Sequence, residues 1–183
     1  MKILIACEFS GRVRDAFIAK GHEAISCDLV ESVRPGPHII GDVRDYLEGG
    51  WDMMIAFPPC TYLANIGSQM YRNTEAREHA LKFVRTLLNA PIPKIALENP
   101  RGVISVAIRK PDDIIQPWHF GHPYTKLTCL WLKGLPPLVP TDIVYGPKTG
   151  WVNGLSHRNV GYRGRERSVT FQGIADAMAA QWG

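Results

Sequence analysis

Cys60 closes the run Phe57-Pro58-Pro59-Cys60, which follows the apolar stretch Asp52-Met53-Met54-Ile55-Ala56. Adjacent prolines fix φ and supply no N–H, so a strand built from that stretch must end there and present the thiol at the carboxyl edge of its sheet. Open α/β sheets bind ligands at that edge, and a thiol held rigidly there is a candidate nucleophile. A second polar group arrives in the same way. Lys94-Ile95-Ala96-Leu97 reads as a strand whose end carries Glu98-Asn99-Pro100.

The elements that must position these groups follow from the hydrophobic pattern. Lys2-Ile3-Leu4-Ile5-Ala6-Cys7 is an apolar run of strand length, and Glu8-Phe9-Ser10-Gly11 turns the chain into an amphipathic helix over Val13, Ala16 and Phe17 that Lys20-Gly21 closes. Glu23-Ala24-Ile25-Ser26-Cys27 predicts a second strand ending in Asp28, and His38-Ile39-Ile40-Gly41-Asp42 a third ending in another acid. Thr74 to Asn89 repeats apolar residues at helical spacing with Thr74 as N-cap, and Pro91 and Pro93 stop it. Beyond Pro111 the alternation weakens. Thr128 to Leu132 still reads as a strand, 141 to 167 as loop, and Gln172 to Gln181 as a terminal helix.

Strand, glycine turn, helix and a strand with a terminal acid open a nucleotide-binding βαβ unit. Asp28 follows the glycine turn by about twenty residues, the placement that lets an acid accept hydrogen bonds from ribose hydroxyls. The turn lacks the full G-x-G-x-x-G, whose glycines serve the approach of a pyrophosphate. A cofactor without phosphates does not need them, which favours S-adenosyl-L-methionine over NAD.

At 183 residues, 45% hydrophobic and 21% charged, the chain reads as one α/β domain with an elaborated carboxyl-terminal third, without repeats or low complexity. The amino terminus meets Glu8 too soon for a signal peptide and no run reaches membrane-spanning length, so the expected location is cytoplasmic, with no membrane partner. None of the four cysteines has metal-knuckle or redox-pair spacing. Cys7, Cys27 and Cys129 lie in apolar stretches as expected core residues, and only Cys60 has turn chemistry around it. His119-Phe120-Gly121-His122 is better explained as a polar turn than as a metal site, so no metal is expected.

The net charge of +4 is mild, but its distribution is uneven. Between Lys148 and Arg167, five basic residues face only Glu166, with Trp151, His157 and Tyr162 interleaved. Such a segment can neutralise phosphates and stack on bases, or it can be a solvated loop.

Taken in order, Glu8-Phe9-Ser10-Gly11, Phe57-Pro58-Pro59-Cys60 and Glu98-Asn99-Pro100 resemble the motif series of the cytosine-C5 DNA methyltransferases: a Phe-x-Gly cofactor turn, a Pro-Cys nucleophile and a Glu-Asn pair on the following strand. Arg167-Ser168-Val169-Thr170 and the helix after it are similar to that family's final cofactor-lining motif, so the resemblance spans most of the chain. It implies a Rossmann-like S-adenosylmethionine-dependent methyltransferase fold with a mostly parallel twisted sheet. It implies Cys60 adding to C6 of cytosine and Glu98 stabilising charge at N3, with Asn99 holding the Pro58 region. For the cofactor it implies Glu8, Phe9, Ser10 and Gly11 in the first turn, Asp28 at the ribose, Asp42 at the adenine amino group, Pro58 beside the site and Ser168 at the methionine carboxylate. Read without the resemblance, Phe9 fits a core position, Asp42 a cap on a helix from Val43, and Ser168 an N-cap.

Two departures bear on the substrate. The family's Gln-x-Arg-x-Arg segment is replaced by Gln116 to Lys126 without an arginine, leaving Lys126 as a point charge in place of a guanidinium fork. A large target-recognition domain is replaced by the basic stretch 140–167, whose Arg163 and Arg165 are candidate phosphate contacts. The loop Thr61 to Asn73, with Met70, Tyr71 and Arg72, is the expected cover for a flipped base. The expected partner is therefore DNA, double- or single-stranded. The alternatives are C5 modification of a free cytosine nucleotide, or a non-catalytic nucleic-acid-binding protein retaining the fold.

Overall fold

The computed structural model describes residues 1–64, 74–146 and 168–183. Its strands are β1 (Lys2–Ala6), β2 (Glu23–Asp28), β3 (His38–Ile40), β4 (Met53–Ala56), β5 (Lys94–Pro100), β6 (Asp113–Ile115) and β7 (Thr128–Lys133). Its α-helices are α1 (Arg12–Ala19), α2 (Glu75–Leu88), α3 (Ile104–Ala107) and α4 (Gln172–Trp182). The strands form one seven-stranded sheet in the order β3-β2-β1-β4-β5-β7-β6. β1 to β5 run parallel, and β7 is antiparallel to both of its neighbours.

The central strands β1 and β4 read as continuous apolar runs because both faces of the sheet are covered. On one face Ile3, Ile5, Met53, Ile55 and Ala96 pack against Val13 and Phe17 of α1 and Ala175, Met178 and Trp182 of α4. On the other, Leu4, Ala6, Met54, Ala56, Ile95 and Leu97 meet Leu81, Val84 and Leu87 of α2 and Ile104 of α3. The chain winds outward from β1 through β2 to β3, then returns to β4 on β1's other side. A crevice opens where the winding reverses, outside the carboxyl ends of β1 and β4. The α/β class and mostly parallel sheet are as expected. No helix among the described residues is long and apolar enough to cross a membrane.

Several elements differ from expectation. β3 stops at Ile40, and Asp42 instead caps a 3₁₀ turn over Val43–Tyr46, its carboxylate accepting the Arg44 N–H. β5 runs on through Glu98 and Asn99 to Pro100 because β7 supplies partners there, pairing Glu98 with Leu130 and Asn99 with Cys129. β6 and α3 are too short to leave a periodic signal. Ser168 is not the cap of the terminal helix, whose N-cap position is Phe171. The side chain satisfying a first-turn donor there is distant in sequence: His122 Nε2 accepts the Gly173 N–H at 3.0 Å. Residues 65–73, with Met70, Tyr71 and Arg72, and 147–167, with Arg163 and Arg165, lie outside the described residues.

Candidate functional site

β4 gives its last ladder contact where Phe57 N–H donates to Ala6 O at 2.9 Å, and Pro58 and Pro59 then carry the chain off the sheet. Cys60 follows on the surface, the one exposed cysteine of the four. Its carbonyl accepts from Leu63 N–H at 3.0 Å and Ala64 N–H at 2.9 Å, so the thiol sits at the start of a closed turn. That turn is fastened from three sides. Asn99 Nδ2 donates to Pro58 O at 2.8 Å, Arg77 Nε of α2 donates to Tyr62 O at 3.1 Å, and Val103 N–H donates to Leu63 O at 2.8 Å. Rigid support of this kind is what a nucleophile held for in-line attack requires.

Gly102 makes the last of these contacts possible. Any Cβ there would overlap the Leu63 carbonyl. Gly102→Ala is therefore expected to lower stability by about 1–3 kcal/mol, the usual cost of forcing an atom into a packed contact. Urea denaturation of the variant measures this, and an unchanged midpoint would show that the turn is not seated on Gly102.

Glu98 projects from the length of β5 that outruns β4. Accessible surface remains on the residue, yet its carboxyl is shielded enough that burial pushes its pKa up, with the nearby Lys126 ammonium opposing that shift. Lys126 itself is held by its backbone N–H donating to Gln116 Oε1 at 2.9 Å. Neighbouring Asn99 points to the α2 face and is buried; its Oδ1 has no hydrogen-bond partner among the described residues. The strand ends thus bring Cys60, Glu98, Asn99 and Lys126 into one region.

Beside it lies a cavity of about 280 Å³ lined by Cys7, Cys27, Asp28, Leu29, Gly41, Asp42, Val43, Arg44, Pro59 and Phe83. Pro59 is the wall that it shares with the Cys60 turn. The lining combines the Asp28 carboxyl with apolar walls and an aromatic ring, and its one cation among the described residues, Arg44, pairs with Asp42 through its Nε and Nη2 donors. Those hydrogen bonds pull the Asp42 pKa down to about 2. The cap and the Arg44 pair occupy the carboxylate expected to read an amino group. Cys7, expected in the core, is half-buried at this cavity with φ 57°, a left-handed conformation unusual outside glycine. Burial and then the Asp28 charge push its thiol up to about 12, and the same two causes push Cys27 up to about 11.

The Glu8 to Gly11 turn closes the inner side of the site. Glu8 is buried, and its Oε1 accepts from Ser10 Oγ at 2.6 Å and Val13 N–H at 3.2 Å. Burial pushes its carboxyl up in spite of these bonds. Oε2, also buried, has no hydrogen-bond partner among the described residues. Ser10 Oγ also accepts the Arg12 N–H at 3.2 Å, which ties it to the start of α1. Gly11, expected to pass close to a cofactor, owes its lack of a side chain to Arg14: a Cβ would stand 2.5 Å from that guanidinium. Phe9 is half-buried and does not line the cavity. Ser168 is exposed, two residues before Thr170, whose carbonyl accepts from Arg12 Nη1 at 3.1 Å. Leu29, Val43, Arg44 and Phe83 were not singled out from sequence, although Phe83 belongs to the apolar repeat of α2. Among the described residues no group of three or more His, Cys, Asp and Glu side chains could hold a metal ion.

No family profile and no curated protein matches the sequence. Among solved structures, the chain is similar to an E. coli protein provisionally described as a DNA modification methyltransferase encoded within a prophage. The two are 15% identical with a TM-score of 0.52, over 81% of this chain and 53% of the other, so the chain spans about half the length of the structure it matches. At that identity the likeness shows a shared Rossmann-like fold.

Proposed function

We propose that the chain is an S-adenosyl-L-methionine-dependent methyltransferase acting on C5 of cytosine in DNA through a Cys60–C6 adduct. The observation that carries the reading is the joint delivery of Cys60 and Glu98 from adjacent strand ends, with Asn99 locking the backbone between them. The description of the similar prophage protein points the same way. Residues 1–183 would form a single catalytic domain, with the basic stretch 140–167 in place of a target-recognition domain.

S-adenosyl-L-methionine, when bound, supplies an electrophilic methyl group on a sulfonium. The residues present fit it. Asp28 would take the ribose hydroxyls, while Leu29, Val43, Pro59 and Phe83 would enclose the base. The unpaired Glu8 Oε2 would accept from the ammonium end of the methionine. Phe9, Ser10 and Gly11 would frame that end, with Pro58 behind it and Ser168 at the carboxylate. Asp42 serves through its cap, holding Val43 in place.

Cytosine C5 is a weak nucleophile, and addition of the Cys60 thiolate to C6 turns the C5–C6 bond into an enamine able to attack an electrophile. Glu98, whose carboxyl burial pushes toward the protonated form, would hold N3 and stabilise the charge that addition drives there. Loss of the C5 proton after methyl transfer then expels Cys60 and restores the ring. Lys126, and Arg163 and Arg165 beyond the described residues, would meet the phosphates or the base.

Labelled cofactor offered separately with duplex DNA, single-stranded DNA and dCMP tests the substrate. Label in DNA is expected. Label in dCMP alone would replace DNA with a free cytosine nucleotide, and label in none would leave a nucleic-acid-binding protein that retains the fold.

A further inference from the structure

Arg14 is fully buried on α1, and no step above uses it. Its guanidinium reaches five acceptors: Asp15 Oδ1 at 2.9 Å, Ser26 Oγ at 3.2 Å, Ser32 Oγ at 3.1 Å, Arg34 O at 3.2 Å and Pro35 O at 3.0 Å. Asp15 balances the charge, and its other oxygen faces Arg34 Nη1 at 3.5 Å. The remaining acceptors belong to β2 and to the loop 29–37 that follows Asp28. Two glycines leave room for the guanidinium. A Cβ on Gly11 would lie 2.5 Å from it and one on Gly36 2.8 Å, and both have positive φ.

The loop so held meets the candidate cofactor cavity at two points and the neighbouring Glu8–Gly11 turn at a third. Val30 N–H donates to Asp28 Oδ1 at 3.3 Å, Val33 N–H donates to Phe9 O at 2.8 Å, and Leu29 lines the cavity. A second chain runs in parallel: Ser26 Oγ bonds His38 Nδ1 at 2.8 Å, and His38 Nε2 bonds Val30 O at 2.9 Å. An Nε2-protonated imidazole satisfies both contacts, with Ser26 donating and Val30 accepting. Arg14 is the hub joining α1, β2 and the loop.

We propose that Arg14 is a positioning residue for cofactor binding: it clamps loop 29–37 against the Glu8–Gly11 turn and so presets Asp28 and Leu29. The inference rests on the cofactor reading above. A planar fork of five donors is needed, and lysine, with three donors at one point, cannot span the same acceptors. Without the clamp the loop must be ordered at the moment of binding, which weakens affinity while the reacting groups on β4 and β5 stay in place.

Two measurements on the full chain test it. In the ligand-free protein, Arg14→Lys is expected to speed amide exchange in 29–37 about tenfold or more, with β1, β4 and β5 unchanged. By calorimetry, the same variant is expected to bind S-adenosylhomocysteine about tenfold or more weakly, and in turnover to raise cofactor KM with kcat held. Ser32→Ala, which removes one loop acceptor without disturbing α1, should shift both readouts in the same direction by less. Wild type that binds S-adenosylhomocysteine together with an Arg14→Lys variant that matches it in affinity and loop exchange overturns the Arg14 role alone. Wild type that fails to bind overturns the cofactor reading and the inference with it.

Discussion

Cys60→Ser is expected to lose methyl transfer by about 10⁴-fold or more, since in the proposed covalent mechanism a hydroxyl in place of the thiol removes the nucleophile. DNA carrying 5-fluorocytosine separates this role from a structural one. After methyl transfer its C5 bears no proton to lose, so Cys60 cannot be expelled and the protein stays attached to the base. A band resistant to denaturation, formed by wild type and missing from Cys60→Ser, is the expected result. The other thiols are poor substitutes: Cys7 and Cys27 are pushed well above neutrality, and buried Cys129 is raised by burial and the Glu98 charge. A serine variant that still forms the adduct would remove Cys60 from the mechanism.

Glu98→Gln is expected to cut turnover by about 10²-fold or more while leaving S-adenosylhomocysteine affinity close to wild type. The pH dependence gives a second handle. Burial raises the folded-state pKa of Glu98 above its unfolded value. Its contribution to stability is therefore complete below the unfolded pKa and is lost as pH rises through the folded one. A neutral glutamine escapes that loss, so at pH 8 the variant should melt above wild type and near pH 4 the difference should vanish. Loss of activity with a gain in Tm would mark Glu98 as a group kept at a cost to the fold. A variant that is both active and unchanged in Tm would assign the glutamate no special role.

The central strands were legible because continuous apolar runs bounded by turn residues have few other solutions, and the Thr74 cap and the two prolines marked both ends of α2. The candidate site could be outlined from sequence, since Cys60 and Glu98 each follow such a run. What fastens them was not. Arg14 and Arg77 are charged residues on amphipathic helices, where composition alone reads a solvated face, and their burial depends on loop carbonyls distant in sequence. The extension of β5 was hidden for a related reason. Glu98-Asn99-Pro100 looks like a strand terminus until an antiparallel neighbour from 128–133 supplies its partners. Asp42 had two readings from its own neighbourhood, and its carboxylate caps the turn through the Arg44 N–H while the residue also lines the cavity.

The two apolar layers of the sheet also differ in when they can form as the chain leaves the ribosome. The layer under α2 draws on residues from Leu4 to Trp131, whereas the one under α1 is completed by Ile174, Met178 and Trp182 of the terminal helix. Synthesis therefore offers a half-closed sheet first, with Ile3, Phe17 and Ile55 awaiting their cover until the last turn of α4 is free. Closing that face joins β1 and α1 to a helix far along the chain, a slow step for loop-closure reasons and the stage most open to aggregation. The Cys60 turn, seated on the earlier layer, would be in place before the domain is sealed.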